Sequence, residues 1–458
     1  VIGPCMWISV MNLVGDQVTR LYVDRDWKFR DLEARLLDTI DGNSHKQFVH
    51  AGKIVPPGIS LGDAGLTDGS EVVLISTALV RVLTCSLDRT ARIWDAATGK
   101  CLHELEGHTD IVLEGAFSPD GLQVLTASRD CTVRLWEVAT GTHLLTLNGH
   151  EMSVGMVAFS SDCTQVISAS WDSTARRWSA ADGAHLQTLR GHTDRVVSAA
   201  FFAQGDRVLT ASRDGTVRLS HTATGEHVHT LGGQSDSLTV AAFSPDGKLV
   251  ATGSEDGDTR LWNTATGEHL YTLNGGSDRL VSVAFSSQSD KIVTASWDGT
   301  ARLWCTASGK LLHTLNGHSC FLTSAVFSTR GDRVATASMD RTARIWDVAT
   351  GRHLLTLGGH GDDVISAAFS MQCEKVATAS LDGTAKLWDS ATGEQLCTLI
   401  GHSDGLTAIA FSTGGDLAVA VSREPTARVL DAESSPSIPS HDIQSDSESS
   451  ASSGSSPS

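Results

Sequence analysis

The side chains that could do chemistry come back again and again. His108, Thr126 and Asp130 supply an imidazole, a hydroxyl and a carboxylate, the ingredients of a triad in which a base oriented by an acid activates a nucleophile. The same trio returns as His150, Ser168 and Asp172, as His318, Thr336 and Asp340, and as His360, Thr378 and Asp382. Each is followed by a tryptophan, in turn Trp136, Trp178, Trp346 and Trp388. The acid stands at Asp88, Asp130, Asp172, Asp214, Asp256, Asp298, Asp340 and Asp382, with Glu424 in the ninth slot, always 42 residues apart. A catalytic triad occurs once, whereas this set recurs with the period, so it reads as structure. A buried carboxylate needs partners, and losing one strands the others.

The other chemical leads are weaker. HELEGH (103–108) spaces its histidines five apart rather than four and falls on a strand and turn, not on the helix a zinc motif needs. Gly99-Lys100 and Gly309-Lys310 lack the rest of a phosphate loop. Arg92, Arg134, Arg302 and Arg344 each precede a tryptophan by two residues and read as strand residues. No catalytic, metal or cofactor site is expected.

A fixed period in the low forties calls for a repeat architecture. Each period holds four short strand-like runs; in one they are 112–117, 123–128, 132–136 and 143–147, split by turn residues. Asp-Gly at 214–215, 256–257, 298–299 and 382–383 is a hairpin signal, because such turns need a positive φ. The inner runs are apolar on both faces, which suits sheets packed between neighbouring sheets.

Gly-His near the start of each period and Trp-Asp or a variant near its end (Trp94-Asp95, Trp346-Asp347, Trp388-Asp389) resemble the WD40 β-propellers, over roughly residues 80–431. The resemblance implies a blade tied by hydrogen bonds among the His before strand a, the Ser/Thr on strand b, the Asp of the b–c turn and the Trp on strand c. Three blades depart from it. Ser220 replaces one Trp, while Gln234 and Gly276 replace His, so the blades around 210–300 are expected to be looser. The ninth repeat keeps only His402. The predicted class is mainly β, a propeller of eight blades, with seven or nine left open. Closure is expected to pair strand d of the first repeat (101–106) with strands from 406–430, leaving 81–94 surplus. The nine-blade rival has an N-terminal strand covering the first partial blade.

Residues 6–77 lie outside the repeat. A hairpin over 6–23, an amphipathic helix over 28–40 with Leu32, Leu36 and Ile40 at helical spacing, and strands at 46–55 and 70–76 resemble the ubiquitin-like β-grasp. In that family an aliphatic patch binds partners; the matching positions are Leu13, Val49 and Ile75. The terminal diglycine is absent, since Ile75 is followed by STALVR, so conjugation is not expected. The domains expected are 6–77, the propeller at 78–432, and a tail at 433–458. The tail, with thirteen Ser in its last 25 residues and no Lys or Arg, reads as disordered. Ser445, three residues before Glu448, fits an acid-directed phosphorylation site.

The 35 Lys and Arg stand against 53 Asp and Glu, a net charge of −18, which argues against a general nucleic-acid or anionic-membrane surface. No apolar run approaches the roughly 20 residues of a membrane span. Nine scattered cysteines without a CxxC pair read as reduced thiols, hence an intracellular protein, with the cytoplasm favoured and the nucleus open. The chain begins at Val1, so a leader ahead of it stays open.

These features favour a non-enzymatic scaffold or adaptor that docks a protein or peptide. A ubiquitin–proteasome adaptor is the variant of that reading, and an enzyme or metal-dependent propeller is the alternative of another class. Unpaired carboxylates or histidines converging in the central channel would mark the enzyme. The binding positions are sought where the repeats differ. The residue before the turn Asp reads Leu87, Arg129, Trp171, Arg213, Glu255, Trp297, Met339 and Leu381; the third after the Gly-His slot reads Ile111, Ser153, Arg195, Ser237, Arg279, Phe321, Asp363 and Gly405. Trp and Arg are enriched at binding hot spots, and an exposed Trp needs a reason. A rim of Arg129, Trp171, Arg195, Arg213, Glu255, Arg279, Trp297, Phe321 and Met339 is predicted, with Arg195 and Arg279 favouring an acidic partner. The oligomeric state is not legible.

Overall fold

The computed structural model describes residues 80–202, 205–232, 237–275 and 278–412, together with Leu66 and the backbone of five strands between residues 5 and 78. The helix expected over 28–40, Leu13 and the whole tail with Ser445 lie outside the described residues.

The repeat folds as eight four-stranded antiparallel sheets. In blade 2, strand a is Val112–Phe117, b is Gln123–Ser128, c is Val133–Glu137 and d is His143–Leu147. Blades 3 to 8 follow at 154–189, 196–231, 238–274, 280–315, 322–358 and 364–400. Strand b is buried along almost its whole length, and strand d is exposed or half-buried except at its last residue. That contrast places a and b inside and d at the circumference. The four Asp-Gly turns have glycine φ values of 78 to 87°, and Arg89, Cys131, Ser173 and Arg341 adopt the same left-handed conformation in other blades.

Blade 1 is built from both ends of the repeat. Its strand a is Leu406–Phe411, and its b, c and d are Arg81–Ser86, Ala91–Asp95 and Cys101–Leu105. Phe411 pairs with Val82 and Ile409 with Thr84. The expected route of closure is therefore corrected. Cys101–Leu105 pairs only with Ala91–Asp95, and 81–94 is not surplus. Every residue of Arg81–Ser86 is buried whereas Cys101–Leu105 is half-exposed. The buried strand is the one whose edge must be covered, since an open inner edge would leave backbone groups without partners.

Blades are cemented by a recurring apolar contact. The strand-c Trp of one blade shares a buried cluster with a strand-c Leu or Ile of the blade before it: Trp178 with Leu135, Trp136 with Ile93, Trp346 with Leu303. Seven seams carry this pair, including Trp94 with Leu387 where the ring closes. At the circumference, His103 reaches the Ala139 carbonyl of the next blade at 3.0 Å, and His229 and His313 repeat the contact with Ala265 and Ala349.

The N-terminal strands form a separate five-stranded sheet in the order 17–24, 5–11, 70–78, 44–50, 53–55. The pair 5–11 and 70–78 is parallel. Ser70–Ala78 belongs to this sheet and does not cover a ninth blade. Val49 is paired with Val73, and Ile75 with Gln47.

Candidate functional site

The repeated trios do form a triad-like geometry. In blade 3, His150 Nε2 is 2.8 Å from Ser168 Oγ and Nδ1 is 2.7 Å from Asp172 Oδ2. The corresponding distances are 2.8 and 2.8 Å for His108 with Thr126 and Asp130, 2.8 and 2.7 Å for His318 with Thr336 and Asp340, and 2.8 and 3.0 Å for His360 with Thr378 and Asp382. The hydroxyls cannot act as nucleophiles. Thr126, Ser168, Thr336 and Thr378 are fully buried, and each accepts the indole N–H of Trp136, Trp178, Trp346 or Trp388 at 2.8 to 2.9 Å. A consistent polarity follows: Trp donates to the hydroxyl, the hydroxyl to His Nε2, and His Nδ1 to the carboxylate. Asp130 further accepts from the N–H of Thr109 and Thr132 and from the Thr132 hydroxyl. Burial alone would raise its carboxyl, but these hydrogen bonds hold it well below the ordinary range.

The set extends beyond the four blades singled out from sequence. His192 joins Thr210 and Asp214 at 2.9 and 3.1 Å, with Ser220 in the Trp position. In blade 1, His402 joins Thr84 and Asp88, and Trp94 donates to Thr84. Blades 5 and 6, which have Gln234 and Gly276 in the His slot, answer the turn Asp differently. Arg302 Nη2 lies 2.9 Å from Asp298 Oδ2, and Arg260 Nη1 lies 4.0 Å from Asp256 Oδ2. In the other arginine-bearing blades that side chain lies elsewhere; the Arg134 guanidinium fills the space at Gly107, where a Cβ would collide with it and where φ is +142°.

The variable positions form a ladder. The residue before the turn Asp donates its backbone N–H to the carbonyl of the third residue after the Gly-His slot in every blade: Arg129 to Ile111, Trp171 to Ser153, Arg213 to Arg195, Glu255 to Ser237, Trp297 to Arg279, Met339 to Phe321, Leu381 to Asp363 and Leu87 to Gly405, at 2.9 to 3.0 Å. Side chains then link one blade to the next. The Arg195 guanidinium stands 4.3 Å from the Trp171 ring centre, with Arg129 at 5.9 Å. Ser237 Oγ donates to the Arg213 carbonyl at 3.0 Å. Arg279 pairs with Glu255 at 3.8 Å and stands 5.1 Å from the Trp297 ring, which stacks on Phe321 at 5.5 Å and 19°. The arc runs unbroken from blade 2 to blade 7, all on the face carrying the d–a and b–c connections.

Two expectations about this arc need correction. Trp171 and Trp297 are half-buried, as is every other arc residue except Glu255, which is exposed. The rings are covered because each lies between neighbouring blades. Arg279 is answered by Glu255, so among the described residues the arc cations not paired with a carboxylate are Arg129, Arg195 and Arg213, in blades 2 to 4. Asp110 and Asp194 sit beside them, each capping the next backbone N–H.

Among the described residues, the eight inner strands carry one carboxylate, the buried Glu114, and no histidine. No group of three or more potential metal ligands occurs among them, and no helix among them is long and apolar enough to cross a membrane.

Comparison with known proteins bears on the whole ring. The WD domain, G-beta repeat, matches eight consecutive stretches: 99–137, 141–179, 183–219, 225–263, 267–305, 309–347, 351–389 and 393–431. The first seven begin at strand d of one blade and end on strand c of the next, and the eighth carries strand d of blade 8 and strand a of blade 1, the same stagger that lets one strand close the ring. Among solved structures, the computationally designed Ika8 protein is similar at 28% identity and a TM-score of 0.61, over 68% of this chain and 96% of that one.

Proposed function

The chain belongs to the WD40-repeat family, and on that premise we propose that it is a non-enzymatic interaction scaffold docking a protein or peptide across the arc from Arg129 to Met339. The observation that carries this reading is the ladder: positions locked by identical backbone bonds in all eight blades hold unlike side chains. Packing requirements are the same at each step, so a purely structural position would keep one residue type. Trp and Arg are residues that carry binding energy at interface centres, and side chains already held by cation–π and stacking contacts lose little freedom on binding. The test is Trp171→Ala combined with Trp297→Ala, scored for folding by circular dichroism and for partner capture from cell extract. A well-folded double variant that captures every partner of the parent ends the proposal.

A second reading adds a ubiquitin-like module over 6–77 and an adaptor role in the ubiquitin–proteasome pathway, with Leu13, Val49 and Ile75 as its patch. The sheet order, with its first and last strands parallel neighbours, supports it. Capture of the same partners by the full chain and by an Ile75→Ala variant would leave that module without a role.

A further inference from the structure

One seam of the ring is unlike the other seven. Between blades 3 and 4 both halves of the apolar pair are replaced. Arg177 occupies the strand-c position of Leu135 and Leu219, and Ser220 occupies that of Trp178 and Trp262. The buried cluster at this seam accordingly contains no Trp. A pocket of about 510 Å³ opens there, at the end of the blades carrying the a–b and c–d connections and therefore opposite the arc.

Arg177 lines this pocket while only 5% exposed. Its hydrogen-bond acceptors are all neutral: Gln165 Oε1 from Nε at 3.2 Å and from Nη2 at 2.6 Å, Gln187 Oε1 from Nη1 at 2.7 Å, and the Thr222 carbonyl from Nη1. Among the described residues no carboxylate comes within ion-pair distance of it. Asp206 lies at the pocket but is turned to Arg207 at 3.7 Å, and Glu226 is exposed at its mouth. Taking a guanidinium out of water without a counter-charge is costly, and burial lowers its pKa. One bond has a structural reason. Arg207, Arg333 and Lys375, from strand b, reach the equivalent carbonyls of Thr264, Ser390 and Ala96. That tie explains neither Ser220 nor Thr222. Among the described residues the buried Thr222 hydroxyl has no partner, whereas the hydroxyls of Thr264, Thr306 and Ser390 each bond a carbonyl 17 residues earlier.

We infer that the seam between blades 3 and 4 is a binding site for an oxyanion, a carboxylate or a phosphate group, that supplies the counter-charge to Arg177. With its other four N–H groups spent on neutral acceptors, the guanidinium keeps one Nη2–H, which with the Thr222 hydroxyl can bond such a group through a charge-assisted hydrogen bond. The Asp206 and Glu226 carboxylates at the rim set the limit, admitting a small or singly charged oxyanion more readily than a polyanion.

The test is calorimetric titration of the full chain with sodium acetate and with sodium phosphate at fixed ionic strength, on the parent, on Arg177→Gln and on Arg177→Leu with Ser220→Trp. The last variant restores the pair used at the other seven seams, so it keeps a folded comparison in hand should the single variant fail to fold. Saturable binding to the parent, roughly tenfold or more weaker in the variants as expected for loss of a charged hydrogen bond, supports the site. Stronger binding of acetate assigns it to carboxylates, and stronger binding of phosphate to phosphate groups. No saturable binding of either anion to the parent, or equal binding to parent and variants, overturns it.

Discussion

His402 Nδ1 lies 2.9 Å from Asp88 Oδ2, a contact between residues 314 apart in sequence. His402 also meets Thr84 at 2.7 Å, and Trp94 donates to the same hydroxyl at 2.9 Å. The set that other blades assemble from one stretch is here split across the closure, so the side chains that stabilise a blade also fasten the ring. Thr407 adds a hydrogen bond to Val112 of blade 2, and Lys375 one to Ala96 of blade 1. His402→Ala should cost about 2–4 kcal/mol, because it leaves a buried hydroxyl and a buried carboxylate short of partners. His150→Ala should cost a similar amount. Only the first should speed amide exchange in Arg81–Ser86, and equal exchange there in the two variants would separate the set from closure.

Trp136, Trp178, Trp346 and Trp388 hold two links at once, a hydrogen bond within the blade and the apolar seam to the blade before. Truncation to Ala should cost roughly 3–5 kcal/mol each, as for other large core residues. Asp130→Ala should also destabilise, because His108 Nδ1 and the Thr132 hydroxyl lose their acceptor. Parent-like melting of these variants, with lost binding, would move the set from structure to function.

The period was legible because every seam makes the same packing demand, so His, Ser/Thr, Asp and Trp recur in phase. Closure was not legible for the same reason: a strand a from 406–411 fits any blade's edge equally well, and the period alone does not say which edge lacks one. Burial separates them, since all of Arg81–Ser86 is apolar or inward-facing while Cys101–Leu105 alternates. The variable positions stood out by comparing repeats within the chain, but the half-burial of Trp171 and Trp297 depends on side chains from the adjacent blade. Ser220 was visible as a missing Trp. Its partner change, Arg177 for a Leu or Ile, would have emerged from the same comparison one residue upstream of the Trp.

Arg302 replaces a histidine by chemistry rather than by position. It reaches Asp298 at 2.9 Å from strand c, where Arg134 in blade 2 makes no such pair. Arg302→Ala should therefore destabilise by about 1 kcal/mol, the upper part of the range for a partly exposed ion pair. Arg134→Ala, with His108 still on Asp130, should have a smaller effect on the Asp. The check is a double-mutant cycle with Asp298→Asn in blade 6 and Asp130→Asn in blade 2. Coupling in blade 2 as large as in blade 6 would refute the replacement.

Acid should weaken the ring in two stages. Burial holds the His192, His360 and His402 imidazoles below their usual pKa, outweighing the carboxylate beside each. In the folded state they stay neutral where the unfolded chain already takes up protons. Stability should thus fall as pH drops below about 6.5, by at most about 1.4 kcal/mol per pH unit for each histidine, until the folded imidazoles themselves protonate. The carboxylates titrate later. Burial would raise Asp88 and Asp382, yet hydrogen bonds from Thr90 and Thr384 and the neighbouring His402 and His360 bring both down to about 2. Their contribution is complete above the ordinary carboxylate value near 4 and is lost as pH falls through about 2. Urea midpoints measured between pH 7.5 and 2.5 should decline from pH 6.5 and decline further below 4. The His402→Gln variant keeps a neutral hydrogen-bonding side chain and should show a shallower slope in the first stage. An identical slope in parent and variant would remove His402 from the titrating set.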